Sequence, residues 1–515
     1  MKPGERLGVV DLGSNSFRLV VFMAGDGWWR RTDEIYEPVR IGEGLGVGGE
    51  LGEDPVSRAL ATLEVFAHFC RASGLDEQHV DAVATSAIRE AGNAEDFLGP
   101  GRECFPGEIR VLSREQEAYY AYLAAVNSTT LEQGCVLDLG GGSMQLLRVE
   151  DRLPRQCGSW RVGTVLMSER YLPANGPAKR KQLEELRGRV AGELSEARWL
   201  ESLGNGEGRL VGLGGTVRNL AAAAQRAAGL PSIGVQGMVV TREALEELIG
   251  KLAELPARER ASIPGIKPAR ADLILAGAIV VHGVLEAGGF QSLEVTEAGL
   301  REGVFFERLL GGSPGGSGRP PMFEDVRSSS VLNLAHQYAV DRAHTEHVAS
   351  LALGMFDKLA SLGLHEGDAR ERELLWAACM LHDIGMSIDY DDHHKHSRYL
   401  ILNGGLPGFA PVETAIIAQS ARYHRKGMPS PGPMAPLFGP GDAERLDRCA
   451  TLLRLAEDLE RSRDQLVHSA LLEESDGTVE LRLVADGNSA VPSWAARREG
   501  ELFERAFRRE LRVAA

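Results

Sequence analysis

Two apolar runs near the N-terminus, residues 7–12 and 17–24, flank the polar stretch Gly13-Ser14-Asn15-Ser16. Short apolar runs interrupted by a glycine-polar cluster read as strand, tight turn, strand. Residues 55–73 place Val56, Leu60, Leu63, Phe66 and Cys70 three or four positions apart, the spacing of one helical face. Residues 80–85 read as a further strand. Residues 135–139 form another apolar run that ends in aspartate and glycine, and residues 144–149 continue as its partner. The two strand–turn–strand units share an Asp-x-Gly bend, which predicts an internal duplication. Further on the period becomes helical. Val348, Leu351, Ala352, Met355, Phe356 and Leu359 share a face, and residues 371–386 and 446–459 behave alike. Residues 478–485 alternate as a strand, and residues 494–511 predict a basic amphipathic helix.

Glycine, serine and proline dominate residues 311–321, and no core pattern crosses them, so this stretch is expected to be a linker. The expected organisation is two α/β domains over residues 1–128 and 129–310, the linker, a helical domain over 322–470 and a small terminal subdomain over 471–515. That division suits a chain of 515 residues at roughly 100–200 residues per domain.

Composition narrows the function classes. A net charge of -16 argues against non-specific nucleic-acid binding. No apolar run approaches the ~20 residues of a membrane helix. The apolar stretch at residues 7–24 is interrupted by Asp11, Asn15 and Arg18 and lacks the layout of a secretory signal, so the expected location is cytoplasmic, with no membrane partner. The six cysteines are scattered without a CxxC pair, which argues against a disulfide framework or a zinc-cysteine site. An anionic ligand remains compatible with an acidic chain if it meets a local basic surface. Arg89, Lys267, Arg270, Arg301, Arg422, Arg425 and Lys426 are the candidates.

The glycine turns carry the chemistry. In Asp11-Leu12-Gly13-Ser14-Asn15-Ser16, glycine lets the backbone approach an anion, and successive N–H groups form a concave nest. Ser14, Asn15 and Ser16 add short donors. Asp11 repels phosphate directly but can hold a Mg²⁺ that binds it, or position a water. Asp138-Leu139-Gly140-Gly141-Gly142-Ser143 repeats the logic, and a third turn follows at Gly214-Gly215-Thr216.

Residues 1–310 resemble the exopolyphosphatase / guanosine pentaphosphate phosphohydrolase family, a branch of the actin-like ATPase fold. The resemblance rests on residues 10–19 and 138–143 as the two phosphate motifs, residues 84–93 around Arg89, and residues 112–118 around Glu117. It implies that Arg89 clamps phosphate oxygens. It also implies that Glu117 is the general base, with Glu115 the runner-up, and that Asp138 is catalytic and shares a Mg²⁺ with Asp11. Glu115 and Glu117 should point roughly 200° apart on a helix, so they cannot share a role. The family's second motif usually continues as Thr-Glu after the serine; here it continues as Met144-Gln145. Glutamine can donate a hydrogen bond but cannot serve as a base.

His344, His382, Asp383, His396, His424 and Asp458 stand out in the helical part. The strings around residues 344, 382 and 458 resemble the HD phosphohydrolase superfamily. That implies a metal site of His344, His382, Asp383 and Asp458, with His396 and His424 as additional ligands and Mn²⁺ or another divalent ion as an alternative to Mg²⁺.

The expected fold is therefore α/β: two actin-like (ribonuclease H-like) domains, then an all-α HD-type domain and a small α+β subdomain. The expected activity is that of an exopolyphosphatase on inorganic polyphosphate. Guanosine pentaphosphate hydrolysis is the alternative, and a polyphosphate sensor with little turnover is the rival that Gln145 supports. An actin-like kinase would need an adenosine pocket, for which only the turn at residues 214–216 offers a sequence sign. The resemblance also implies a homodimer. A basic lane between the halves is expected to hold the chain, with Arg89 near its reactive end and Lys267, Arg270, Arg422, Arg425 and Lys426 further out.

Overall fold

The computed structural model describes all residues except 46–48, 202, 204–207, 313–317 and 515. Residues 313–317 of the expected linker thus lie outside the described residues. The chain divides into two compact units, Met1–Val326 and Arg327–Ala515.

In the first unit, β1 (Arg6–Leu12), β2 (Phe17–Ala24) and β3 (Trp29–Glu37) form an antiparallel meander. β4 (Val80–Ala84) and β5 (Ile109–Val111) then add in parallel beside β1, giving the order β3-β2-β1-β4-β5. The second sheet repeats the plan. β6 (Gly134–Leu139), β7 (Met144–Glu150) and β8 (Leu153–Trp160) are antiparallel, and β9 (Arg209–Leu213) lies parallel to β6. β10 (Val239–Thr241) is an added edge strand on β11 (Ser292–Val295), and the order is β10-β11-β9-β6-β7-β8. This is the predicted duplication in actin-like form. β1 and β6 are apolar through their middles because each runs inside its sheet, and each carries one aspartate, Asp11 or Asp138, near its C-terminal end.

The two halves interlock through exchanged helices. Helix Arg114–Val126 packs on β6, β7 and β8, whereas helix Leu300–Leu309 packs on β1 and β2 and against the first helix. Tyr120, Leu123, Val304 and Phe305 are fully buried in the cluster they share.

In the second unit, helices Arg342–Ser361, Ala369–Leu381, His393–Gly404, Pro411–Tyr423 and Asp442–Leu459 pack around buried residues such as Met355, Leu375, Ile417 and Leu453. Two expectations need correction. The helix expected to run to residue 386 ends at Leu381, because the chain at Gly385 runs against the next helix. A Cβ there would lie 2.2 Å from the His393 carbonyl oxygen. The single helix expected at residues 494–511 is two short ones, Ala490–Ala496 and Gly500–Phe507. Arg508 then takes φ 58°, and β14 (Glu510–Val513) pairs with β13 (Thr478–Ala485), which also pairs with β12 (Val467–Ser475). Among the described residues no helix is long and apolar enough to cross a membrane.

Candidate active site

The two bends close identically: Gly13 N–H donates to Ser16 O at 3.2 Å, and Gly140 N–H donates to Ser143 O at 3.0 Å. Together with the third turn they line a cavity of about 120 Å³. Asp11, Ser14, Asn15, Ser16, Glu117, Asp138, Gly140, Gly141, Gly214 and Gly215 face it, and so does Arg270, which the sequence reading had placed further out. Gly214 caps helix Gly215–Ala227 with φ 101°, a conformation that disfavours any side chain. A Cβ there would also lie 3.2 Å from the Leu139 carbonyl oxygen, so glycine lets the third loop press against the second.

Arg18, Arg218 and Arg301 also line this cavity. Arg301, a candidate anion-binding cation from the sequence, pairs with Asp11 at 2.9 Å. Arg18 and Arg218 were missed. Arg18 had a findable signal, because it stands across the β1–β2 ladder from Asp11 just as Gln145 stands across the β6–β7 ladder from Asp138.

The glutamates separate as expected. Glu117 is buried and faces the cavity, whereas Glu115 is exposed and accepts from the Ser113 hydroxyl at 2.8 Å. Ser113 caps the helix, with its hydroxyl accepting from Gln116 N–H, and this aims Glu117 inward one turn later. Burial raises the Glu117 pKa, and the Arg89 guanidinium opposes that rise without cancelling it. Asp138 is pushed up to about 8, first by burial and then by the Glu117 and Asp11 carboxylates. Asp11 is likewise raised by burial against the pull of Arg301.

Several predicted residues sit elsewhere. Arg89 stands behind Glu117, donating to it at 2.9 Å, with Nε and its other terminal nitrogen buried and unpartnered among the described residues. Ser143 and Thr216 are buried outside the cavity lining, and Gly142 lines a small neighbouring pocket. Lys267 is exposed and does not line the cavity. Gln145 donates to Ser143 Oγ at 2.8 Å, while its own carbonyl oxygen is buried and, among the described residues, without a partner.

Crowded, buried carboxylate oxygens suit a hard divalent cation, whose charge would offset the repulsion that raises Asp138. Asp11 and Asp138 fit that role. A second cavity of about 720 Å³ meets the first at Ser14 and Asn15. Leu172, Pro173, Ala257, Ala271 and Leu273 supply apolar wall, and Arg40 and Arg258 are balanced by Glu43, Glu169 and Asp272.

A separate cluster lies in the second unit. His344, His382 and Asp383 form one ligand set within 4.8 Å, and Asp383, His393 and His424 form another. Glu457 Oε2 lies 3.0 Å from His344 Nε2 and 3.2 Å from His382 Nε2. Asp458 was expected in this set; instead it pairs with Arg461 at 3.3 Å, and Glu457 takes the inward place. The helix Asp442–Leu459 can aim only one of two adjacent residues at the cluster. His396 is likewise replaced by His393, three residues earlier on the same helix.

His382, His393 and His424 donate from Nδ1 to the carbonyls of Cys379, Tyr390 and Ala421, at 2.6, 2.8 and 2.7 Å. A carbonyl only accepts, so Nδ1 carries the proton and Nε2 turns its lone pair inward. His393 Nε2 and His424 Nε2 face each other at 3.0 Å, a separation that calls for a proton or a cation between them. Burial alone would disfavour a charged His382, but Asp383 and Glu457 outweigh it and raise its pKa to about 9. The donor set fits a borderline divalent metal that would replace that proton.

The basic candidates here are already engaged. The Arg425 guanidinium stacks on Tyr390 at 5.3 Å, and Lys426 lies 3.8 Å from Asp392. Both line a cavity of about 470 Å³ that includes His394, Arg461 and Arg498 but also Asp391, Asp392, Asp458 and Glu499, so it is not a purely basic surface. Arg422 does not line it; its guanidinium lies over Tyr423 at 5.3 Å.

The chain is similar to a solved Ppx/GppA family member from Aquifex aeolicus: 30% identity, TM-score 0.51, covering 60% of this chain and 98% of that one. It shares the fold of an exopolyphosphatase from Cytophaga hutchinsonii: 21% identity, TM-score 0.55, covering 61% of this chain and 100% of that one. The profile of the Ppx/GppA phosphatase family matches residues 26–311, and that of Ppx/GppA phosphatase domain III matches residues 326–490. With glycine loops, guanidiniums and a buried glutamate meeting in one cavity and this family's profile spanning more than half its length, the chain belongs to the Ppx/GppA phosphatase family.

Proposed function

We propose that the protein hydrolyses the terminal phosphoric anhydride of inorganic polyphosphate and releases orthophosphate. The observation that carries this reading is the buried Glu117 carboxylate facing the same cavity as three glycine loops and four guanidiniums, those of Arg18, Arg218, Arg270 and Arg301. The loop N–H groups and the guanidiniums bind and orient the terminal phosphoryl group. Glu117 accepts a proton from the attacking water as the water oxygen bonds to phosphorus, and the shortened chain leaves with the bridging oxygen. Arg89 fixes the carboxylate in position. A Mg²⁺ held by Asp11 and Asp138 would supply charge neutralisation of the phosphate oxygens. Positioning and electrostatics carry most of the catalysis in this class of reaction.

A second reading, guanosine pentaphosphate hydrolysis, is favoured by the adjoining 720 Å³ cavity. Its balanced charges and apolar wall suit a nucleoside better than a run of phosphates. The second unit is proposed as an HD-type domain that binds a divalent metal through His344, His382, Asp383 and Glu457, with His393 and His424 completing a second set. Phosphate release from polyphosphate, guanosine pentaphosphate and ATP, measured side by side, tests the proposal. Release from guanosine pentaphosphate alone selects the second reading, and tight binding without release selects a sensor.

A further inference from the structure

Asp11 and Arg301 form an ion pair inside the reaction cavity, with an Arg301 terminal nitrogen donating to Asp11 Oδ2 at 2.9 Å. Arg301 lies on the first turn of helix Leu300–Leu309, 290 positions from its partner. Its Nε is buried and, among the described residues, meets no acceptor. Most of this guanidinium's donor capacity is therefore available to something else.

The cavity crowds both signs of charge. Arg18 and Arg218 face it too, and burial followed by the Arg301 charge lowers the pKa of Arg218 to about 10. On the acidic side Asp138 feels both Glu117 and Asp11. Among the described residues, Asp11–Arg301 is the direct ion pair between these arginines and these acids. A phosphate arriving with its cation would relieve both crowdings at once. The cation would take the carboxylates, and the phosphate oxygens would take the guanidiniums, whose planar fork matches them.

We propose that Arg301 is a positioning residue that occupies Asp11 until substrate arrives. A divalent cation and Arg301 compete for the Asp11 carboxylate, and phosphate decides the competition by drawing the guanidinium onto its own oxygens. Metal and phosphate therefore bind cooperatively, and the free protein resists loading metal at this position alone. The inference rests on the front cavity being the hydrolytic site.

Calorimetric titration of the full chain with Mn²⁺, with and without saturating inorganic phosphate, tests it. Heat that persists in Asp11→Asn belongs to other sites and is subtracted. Phosphate should tighten Mn²⁺ binding about tenfold, and Mn²⁺ should tighten phosphate by the same factor, as linkage requires. Arg301→Gln should bind Mn²⁺ alone about fivefold tighter and reduce the mutual enhancement below about twofold. Arg301→Lys keeps the charge without the fork and should lie between; it takes over the test if circular dichroism finds the glutamine variant unfolded. Absence of cooperativity in the parent overturns the proposal, and so does full cooperativity in Arg301→Gln. The readout is binding and not turnover. Failure of the hydrolytic reading would appear as no phosphate release from any anhydride while these isotherms stood, so the two failures are distinguishable.

Discussion

Arg89 donates to Glu117 Oε2 at 2.9 Å and, from the same nitrogen, to the Leu112 carbonyl at 2.8 Å. The guanidinium thus ties the carboxylate to the backbone end of β5 and fixes where a water can be deprotonated. The pair is largely buried, with side-chain exposures of 15% for Arg89 and 6% for Glu117. Removing one partner would leave an uncompensated buried charge, which typically costs about 3–5 kcal/mol.

Glu117→Gln should cut turnover by about 10²-fold or more while leaving substrate affinity largely intact, the usual worth of a positioned base. The base must be ionised, and burial raises its pKa, so activity should fall on acidification at a pH above the ordinary glutamate range. Arg89 holds that pKa down, so Arg89→Gln should move the acid limb further up. The rate of phosphate release against pH for the three proteins checks this. Equal turnover in Glu117→Gln and the parent would remove Glu117 as the base.

Asp138→Asn should reduce activity more than Asp383→Asn, because only Asp138 faces the proposed reaction cavity. It should also change the pH dependence of stability. The folded-state pKa of Asp138 is raised from 3.8 to about 8, so its protonated form favours the folded state. That contribution is complete below the unfolded value and is lost as pH rises through the folded one. In metal-free buffer the parent's Tm should therefore decline between pH 4 and 8 more steeply than that of Asp138→Asn, a window set by those two pKa values. Thermal melts across that range decide it. Parallel curves would remove Asp138 as the titrating group.

In the second unit, Glu457→Gln should weaken divalent-metal binding by about 10- to 100-fold, whereas Asp458→Asn should leave it near parent level. Glu457 lies 3.0 Å from His344 Nε2, and Asp458 turns away toward Arg461. Metal content after dialysis, with Asp11→Asn as the background to suppress the front site, measures the difference. The reverse order would place the ligand at Asp458.

Replacing Arg425 and Lys426 by alanine should raise KM for long polyphosphate more than for short chains, and the difference should shrink in high salt. Exposed charges act over only ~8–10 Å at physiological ionic strength, so cations that hold the chain beyond its terminal phosphates should matter more for long chains than for short ones. KM measured against chain length in both proteins tests this. An identical change for every length would remove these residues from the substrate path.

The sequence by itself determined what short-range chemistry controls. The Asp-x-Gly bends, the strands that flank them and the opposed directions of Glu115 and Glu117 follow from glycine geometry, apolar runs and helical periodicity within a few residues. The choice of Glu457 over Asp458 needed the structure, because adjacent helical positions differ by only ~100° and packing sets which one faces the cluster. The break of the expected helix at residues 494–511 also lay beyond local pattern, since β14 gains its hydrogen bonds only by pairing with β13. Arg301 is the clearest case. Nothing near residue 301 signals a partner at residue 11; helix Leu300–Leu309 reaches it only by crossing onto the sheet that contains β1. Long-range pairing of opposite charges in a cavity is a property of the packed fold, and the tertiary structure alone decided it.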